Sequence, residues 1–312
     1  NESTLWYHDH LLDFTGQNVY KGLAGLFLTF DALDSGNEKD KSAKALRLPS
    51  GEFDVPLVFQ DRQFDPAGTL VYDVLNTDGF LGDKFCVNGA IQPFLRVARR
   101  KYRFRCLNGA NARFFELFLS TGQSFTAIAT DDLLLPAPIS VQSFRIAPAE
   151  RVEVVIDFSS YKIGDEILLQ NRLVQTNGRG PDEVEAPGTP VLKFIVSRNA
   201  SDPSQVPATL RPKPAPDLAN VRVLRTFRFA RSHGGWVIND QFFDEQRVDA
   251  RPVLGEPEIW TLENGGGDVT FATDFRSLYA RVLDGGLGTD STSVLGVSFR
   301  ATSGPVIARA GD

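Results

Sequence analysis

Three features of the sequence predict an all-β fold built from many short strands. The chain has 312 residues, and its 27 glycines and 18 prolines favour short strands joined by turns over long helices. Between residues 102 and 107, two aromatic residues and a cysteine alternate with two arginines and a leucine. A period of two places one set in a core and the other set outside. Asn-Gly pairs at positions 88–89 and 108–109 supply the positive φ angles that turns between strands require.

The composition argues against two classes of partner, nucleic acids and membranes. The chain is 42% hydrophobic with a net charge of −6, and it has no basic tract of the kind that binds nucleic acid. No apolar run approaches the roughly 18 residues that a membrane-spanning helix needs. We therefore predict no nucleic-acid partner and no insertion into a membrane.

The first element predicted is a strand at residues 4–10, in which Trp6, His8 and His10 share one face. An apolar strand at residues 22–30 follows, with glycines that allow close approach of another backbone. The charged and polar residues 34–52 are expected to form an exposed linker.

Residues 53–200 are predicted to form one complete β domain organised around residues 85–119. Its strands are expected at 55–62, 102–107, 124–129, 152–158 and 192–196, and its longer loops at 65–84 and 131–138. The two cysteines of the chain, Cys86 and Cys106, both lie in this domain. Buried free thiols are favoured over a disulfide because cysteine is among the most frequently buried residue types.

The remainder of the chain divides into a connector, a strand region and a tail. Residues 201–220 are proline-rich and predict an extended connector. Strands are expected at 221–230, 236–239 and 258–264. In the tail, Thr273 is placed to cap a helix at 274–284, which the glycines at 285–286 would end.

Three motifs resemble multicopper oxidases of the spore-coat laccase and bilirubin oxidase type: WYHDH at 6–10, the stretch 85–119, and PAERVEVVIDF at 148–158. The resemblance implies cupredoxin-like Greek-key β-sandwich domains and a bacterial protein that is exported or at the cell surface. The implied organisation has six parts: the C-terminal fragment of a first cupredoxin domain at 1–34, a linker at 35–52, a complete domain at 53–200, a proline-rich linker at 201–220, the N-terminal fragment of a third domain at 221–264, and a tail at 265–312.

That tail resembles the C-terminus of an unrelated group of bacterial proteins related to the sulfatase and alkaline phosphatase superfamily. This short resemblance implies a gene fusion in which an oxidase fragment carries a foreign helical end.

Copper chemistry is the activity that the resemblance would imply. In that family the WYH-x-H motif supplies two histidines to paired coppers, and the other copper sites use further histidines and a cysteine. This sequence contains three histidines, His8, His10 and His233. We therefore expect that the blue-copper and trinuclear sites are lost and that no cofactor is resident. His8 and His10 would be a vestigial pair, able to hold at most one copper or other divalent metal weakly.

Three functional hypotheses follow. The leading one is a glycosidase-like hydrolase, not a four-copper oxidase. Its substrate would be a small molecule or a carbohydrate, in which it would cleave a glycoside or an ester bond. Its candidate catalytic carboxylates are Asp9, Asp240 and Glu245, in a cleft expected between the two part-domains. The second is a weak, laccase-like copper oxidoreductase that uses His8 and His10. The third is a non-catalytic assembly or binding module. Incomplete domains leave strand edges unpaired, so we also expect a homo-oligomer formed through those edges.

Overall fold

The computed structural model describes residues 4–265, apart from 77–78, 132, 179 and 213–217. The described residues divide into two compact units, one ending at Pro212 and the other following it. The helix predicted at 274–284 and its cap Thr273 lie outside the described residues.

The first unit is almost entirely β. Its described helical segments are the short α-helix α1 (Thr15–Tyr20) and a single 3₁₀ turn (Gly51–Phe53). In chain order its strands are β1 (Thr4–His8), β2 (Ala24–Leu28), β3 (Asp54–Phe64), β4 (Leu70–Val71), β5 (Lys84–Val87), β6 (Ala90–Ile91), β7 (Phe94–Arg99), β8 (Lys101–Asn108), β9 (Phe115–Leu119), β10 (Phe125–Thr130), β11 (Leu134–Val141), β12 (Ser143–Ile146), β13 (Arg151–Asp157), β14 (Glu166–Leu173) and β15 (Val184–Asn199).

Two of its sheets form a sandwich. One has the strand order β11-β10-β13-β8-β3-β5-β6, with β4 paired to β3, and the other has the order β12-β9-β14-β15-β7. A single buried apolar cluster draws side chains from both sheets. At its centre the ring of Phe194 on β15 lies 5.2 Å from the ring of Phe104 on β8 and 5.2 Å from that of Phe158. The all-β prediction is therefore confirmed, and it is the shared core that holds the two sheets together.

One face of strand β8 lies as its alternation predicted, and the other does not. Tyr102, Phe104 and Cys106 enter the sandwich core, as expected. The opposite set does not face solvent, because Arg103 is only 1% exposed and Arg105 is fully buried. Their charges are neutralised in place: Arg103 donates to Asp34 and Arg105 donates to Asp54, each through two nitrogens at 2.7–3.0 Å.

The segment that covers this outer face was expected to be an exposed linker. Within residues 34–52, Asp34 and Glu38 are buried; Asp34 forms an ion pair with Arg103 of β8, and Glu38 forms one with Arg100, which directly precedes β8. Leu46 and Leu48 pack into a second apolar cluster on the outer face of β10 and β13. The expectation of exposure is therefore wrong for these four residues. The cost of burying the two carboxylates is offset by their pairing with arginines.

Part of the loop predicted at 131–138 is a strand. Pro136 and Pro138 lie within β11, which forms the outermost position of its sheet. An outermost strand tolerates proline because one side of it needs no ladder of N–H donors.

Both cysteines are buried and free, which confirms the prediction of free thiols. Burial raises the pKa of the Cys86 and Cys106 thiols.

The second unit contains, among its described residues, a three-stranded sheet with the order β17-β16-β18. Its strands are β16 (Val223–Ser232), β17 (Gly235–Ile238) and β18 (Glu258–Asn264), close to the predicted positions. Phe227 and Trp260 pack together on one face, with ring centroids 4.9 Å apart. Across the described parts of both units, no helix combines the length and the apolar character needed to span a membrane.

Candidate metal site

The predicted histidine pair lies at the end of a two-stranded antiparallel ribbon. Strands β1 and β2 pair in register from Thr4 opposite Leu28 to His8 opposite Ala24. The rings of Trp6 and His8 stack with centroids 4.5 Å apart, and the ring of His10 follows at 5.4 Å from His8. The structure therefore brings His8 and His10 together, as the i, i+2 spacing predicted.

The hydrogen bond of His8 defines which ring nitrogen can bind a metal. Its Nδ1 lies 2.7 Å from the backbone carbonyl oxygen of Asp9. A carbonyl oxygen accepts only, so Nδ1 is the donor in this contact, and in the neutral imidazole Nε2 then keeps its lone pair. A hydrogen bond from one imidazole nitrogen to a carbonyl, with the other nitrogen on the metal, is the usual arrangement of metal-binding histidines. In that form, Nε2 of His8 is available to bind a metal ion.

The start of β1 is fixed to the sandwich through a buried polar cluster. The Thr4 hydroxyl donates to Glu153 Oε1 at 2.6 Å and accepts from Arg105 Nη1 at 2.9 Å. Burial acts to raise the pKa of Glu153, but the charges of Arg103 and Arg105 outweigh it and lower that pKa to about 2. Glu153 therefore stays ionised and holds the ribbon at neutral pH.

The far side of the ribbon is fixed through helix α1. The backbone oxygen of Val19 accepts from Gln60 Nε2 at 3.3 Å, and the hydroxyl of Tyr20 accepts from the backbone nitrogen of Gln63 at 2.7 Å. Both partners lie on β3. The loop that carries His10 therefore runs between two attachments to the same sandwich.

The described residues contain no group of three or more histidine, cysteine or acidic side chains placed to hold a metal ion. His8 and His10 thus supply two ligands where stable sites use three or four. His233 has a different environment: it occupies the turn between β16 and β17, with φ of 48° and its Nδ1 2.8 Å from the hydroxyl of Ser232.

Each of the three carboxylates predicted to be catalytic is engaged locally. Asp240 accepts two hydrogen bonds from Arg228, at 2.6 and 2.7 Å. Glu245 lies 3.5 Å from the side-chain nitrogen of Gln246. Asp9 accepts from the backbone nitrogen of Leu11 and from Asn18. No local pattern in the sequence marks Asn18, since a six-residue helix such as α1 is too short to show a clear apolar repeat.

Comparison with known proteins gives the ancestry of this arrangement. No family model matches the chain. A laccase of Bacillus stratosphericus is 37% identical over 284 residues, covering 84% of this chain and 52% of the laccase. A bilirubin oxidase of Albifimbria verrucaria is 36% identical over 304 residues, covering 94% of this chain and 51% of the oxidase. This chain belongs to the multicopper oxidase family.

Solved structures agree with the cupredoxin-like fold. The multicopper oxidase McoA of Aquifex aeolicus matches with a TM-score of 0.70 at 29% identity, covering 86% of this chain and 59% of McoA. A laccase of Pediococcus acidilactici matches with a TM-score of 0.71 at 26% identity, covering 84% of this chain and 52% of the laccase. The chain thus spans about half the length of these multicopper oxidases.

These relatives correct the functional expectation. They are oxidases, and none of these matches supports hydrolysis of a glycoside or an ester, so the hydrolase prediction is wrong. The count of three histidines refers to a chain that covers about half of each relative, and it does not establish that the copper sites are lost. The bilirubin oxidase match covers more of the chain than residues 1–264 supply, so it extends into the tail.

Proposed function

We propose that this chain is a copper-binding oxidoreductase of laccase type, with His8 and His10 as copper ligands. The observation that carries the proposal is the 2.7 Å contact between His8 Nδ1 and the carbonyl oxygen of Asp9, which assigns the donor role to Nδ1 and leaves Nε2 to bind a metal. Membership of a family of oxidases supplies the metal and the reaction class.

The residues present account for part of a site. Bound copper would supply one-electron redox chemistry there. The chain's own contribution is to hold two imidazoles with ring centroids 5.4 Å apart, that of His8 stacked on Trp6, on a ribbon tied to the sandwich by Thr4. Ligands beyond this pair would complete the shell, from a second copy of the chain or from water.

Metal content tests the proposal directly. The purified chain is loaded with Cu²⁺, dialysed, and analysed by mass spectrometry, together with the double variant His8→Ala/His10→Ala. We expect the wild type to retain copper and the double variant to lose it. His233→Ala is the matched control, because it removes the remaining histidine, at the turn after β16. Equal copper in the wild type and the double variant, or none in either, would overturn the proposal.

A role in cell division is a second candidate, supported by another group of relatives. The cell division protein FtsP of Xenorhabdus nematophila is 41% identical over 178 residues, covering 55% of this chain and 36% of that protein. We propose that role, performed as a non-catalytic binding module, as the alternative. The same copper measurement separates the two candidates, since a wild type that retains no copper would favour the binding module.

A further inference from the structure

Asp9 is fixed by hydrogen bonds on both its backbone and its side chain. Its backbone nitrogen donates to the oxygen of Leu23 at 3.0 Å, which continues the ladder between β1 and β2. Its Oδ2 accepts from the backbone nitrogen of Leu11 at 3.2 Å and from Asn18 Nδ2 at 3.0 Å. Its backbone oxygen accepts from His8 Nδ1. The direction in which this carbonyl points therefore depends on the restraints on the rest of the residue.

Asn18 provides a rigid anchor for that side chain. Its backbone nitrogen donates to Phe14 and its backbone oxygen accepts from Leu23, both at 3.0 Å. The next residue, Val19, is buried and is bound through its oxygen to Gln60 of β3. The contact between Asn18 and Asp9 thus links the loop after β1 to the sandwich through α1.

We propose that Asp9 and Asn18 are positioning residues for the copper site. Their hydrogen bond holds the Asp9 carbonyl toward His8, which keeps the proton on Nδ1 and presents Nε2 to the metal. Such outer partners of a ligating histidine fix its tautomer and its ring orientation. The inference rests on the proposed copper-binding function. It gives Asp9 a role through its hydrogen bonds and its carbonyl, in place of acid–base catalysis.

The metal-free chain provides the first test. Long-range proton–nitrogen NMR spectra of imidazole-labelled protein distinguish the two neutral tautomers of His8. We expect a single Nδ1-protonated form in the wild type and a mixture of tautomers in Asp9→Ala and in Asn18→Ala. Both variants keep the accepting carbonyl, and alanine favours the helix at position 18, so simple loss of α1 would not account for the change. An unchanged tautomer in both variants would overturn the proposal.

Copper affinity provides the second test. Competition for Cu²⁺ with a coloured chelator should show about tenfold weaker binding in Asp9→Ala and in Asn18→Ala. If the two residues act through their mutual hydrogen bond, the double variant loses no more than either single variant. A double variant about a hundredfold weaker would mean independent effects and would overturn the coupling.

Two further variants separate geometry from charge and from general disturbance. Asp9→Asn keeps an acceptor oxygen but removes the charge, so it should retain the wild-type tautomer and most of the affinity. If Asp9→Asn is as weak as Asp9→Ala, the carboxylate acts by charge and the proposal fails. Asp65→Ala is the matched control, because Asp65 Oδ1 also caps a turn, accepting from the backbone nitrogens of Ala67 and Thr69.

The two tests distinguish the failure of this inference from the failure of the proposed function. If the wild type binds copper through His8 and His10 but the variants at positions 9 and 18 bind equally well, the positioning role alone falls. If the wild type binds no copper, the proposed function falls. The tautomer of His8 in the metal-free chain still shows in that case whether Asp9 and Asn18 orient it.

Discussion

At the scale of single residues, the sandwich buries several charged side chains that are paired with one another. Glu153 is almost fully buried and accepts from Arg103 Nε at 2.7 Å, from Arg105 Nη1 at 3.1 Å and from the Thr4 hydroxyl at 2.6 Å. Removing one member of such a cluster leaves buried charges without a partner, which costs far more than loss of an exposed pair. Glu153 therefore carries the attachment of the ribbon that presents His8.

Glu153→Gln should lower the free energy of unfolding by about 3 kcal/mol at neutral pH. The folded-state pKa of about 2 lies below the usual glutamate value of about 4.3. The carboxylate's contribution is therefore complete above about pH 4.3 and is lost as the pH falls toward 2. Urea unfolding of both proteins across this range should show their difference shrinking with acid. Glu166→Gln, which removes an exposed partner of Lys193, should cost less than about 1 kcal/mol at every pH. A gap between wild type and Glu153→Gln that stays constant in acid would contradict this assignment.

At the scale of elements, the sequence predicts strands better than it predicts what covers them. The alternation of β8 marks it as a strand and identifies the core side through Phe104. It cannot show that Arg103 and Arg105 are buried, because the covering carboxylates Asp34 and Asp54 lie some fifty to seventy residues away in the chain. The WYHDH motif likewise marks His8 and His10 as candidate metal ligands. The role of Asn18 depends on the fold of the loop, which no local pattern encodes.

Strand β3 depends on a close approach by the loop that precedes β5. The backbone nitrogen of Gly82 donates to Asp61 Oδ2 at 2.7 Å, and its oxygen accepts from Arg113 Nη2 at 2.9 Å. A Cβ at this position would collide with the backbone of Arg62, which cannot move without displacing the strand. Only glycine fits where two backbones approach so closely.

Gly82→Ala should therefore destabilise the fold by about 3 kcal/mol, through overpacking against the backbone of β3. The control is Gly122→Ala, at a position with φ of 74° and no heavy atom within 4 Å of the added Cβ. Conformational strain alone should cost the control about 1 kcal/mol. Urea unfolding midpoints measure both variants. Equal losses would show that the crowding at Arg62 is relieved by a small shift of the loop.

At the scale of the whole molecule, the small sheet formed by β1 and β2 leaves apolar side chains exposed beside its strand edges. The ribbon of β1 and β2 has two strands, and such a ribbon is not stable alone in water. Tyr7 is 63% exposed and Phe27 is 48% exposed on it. A second copy of the chain is the occupant predicted from the sequence for these edges, and it stays a prediction. It bears on copper too, because a symmetric contact could bring two pairs of His8 and His10 together.

Sedimentation velocity over a series of protein concentrations tests this association. We expect the wild type to associate as the concentration rises and Phe27→Lys to remain closer to a monomer, because a lysine on an edge strand opposes pairing between copies. Leu75→Lys is the control, since Leu75 is 83% exposed but lies in a loop. It loses as much apolar surface without changing a strand edge, so it should associate like the wild type. A wild type that is monomeric at every concentration would contradict association through the strand edge. If both variants dissociate equally, the association is a nonspecific effect of exposed apolar surface.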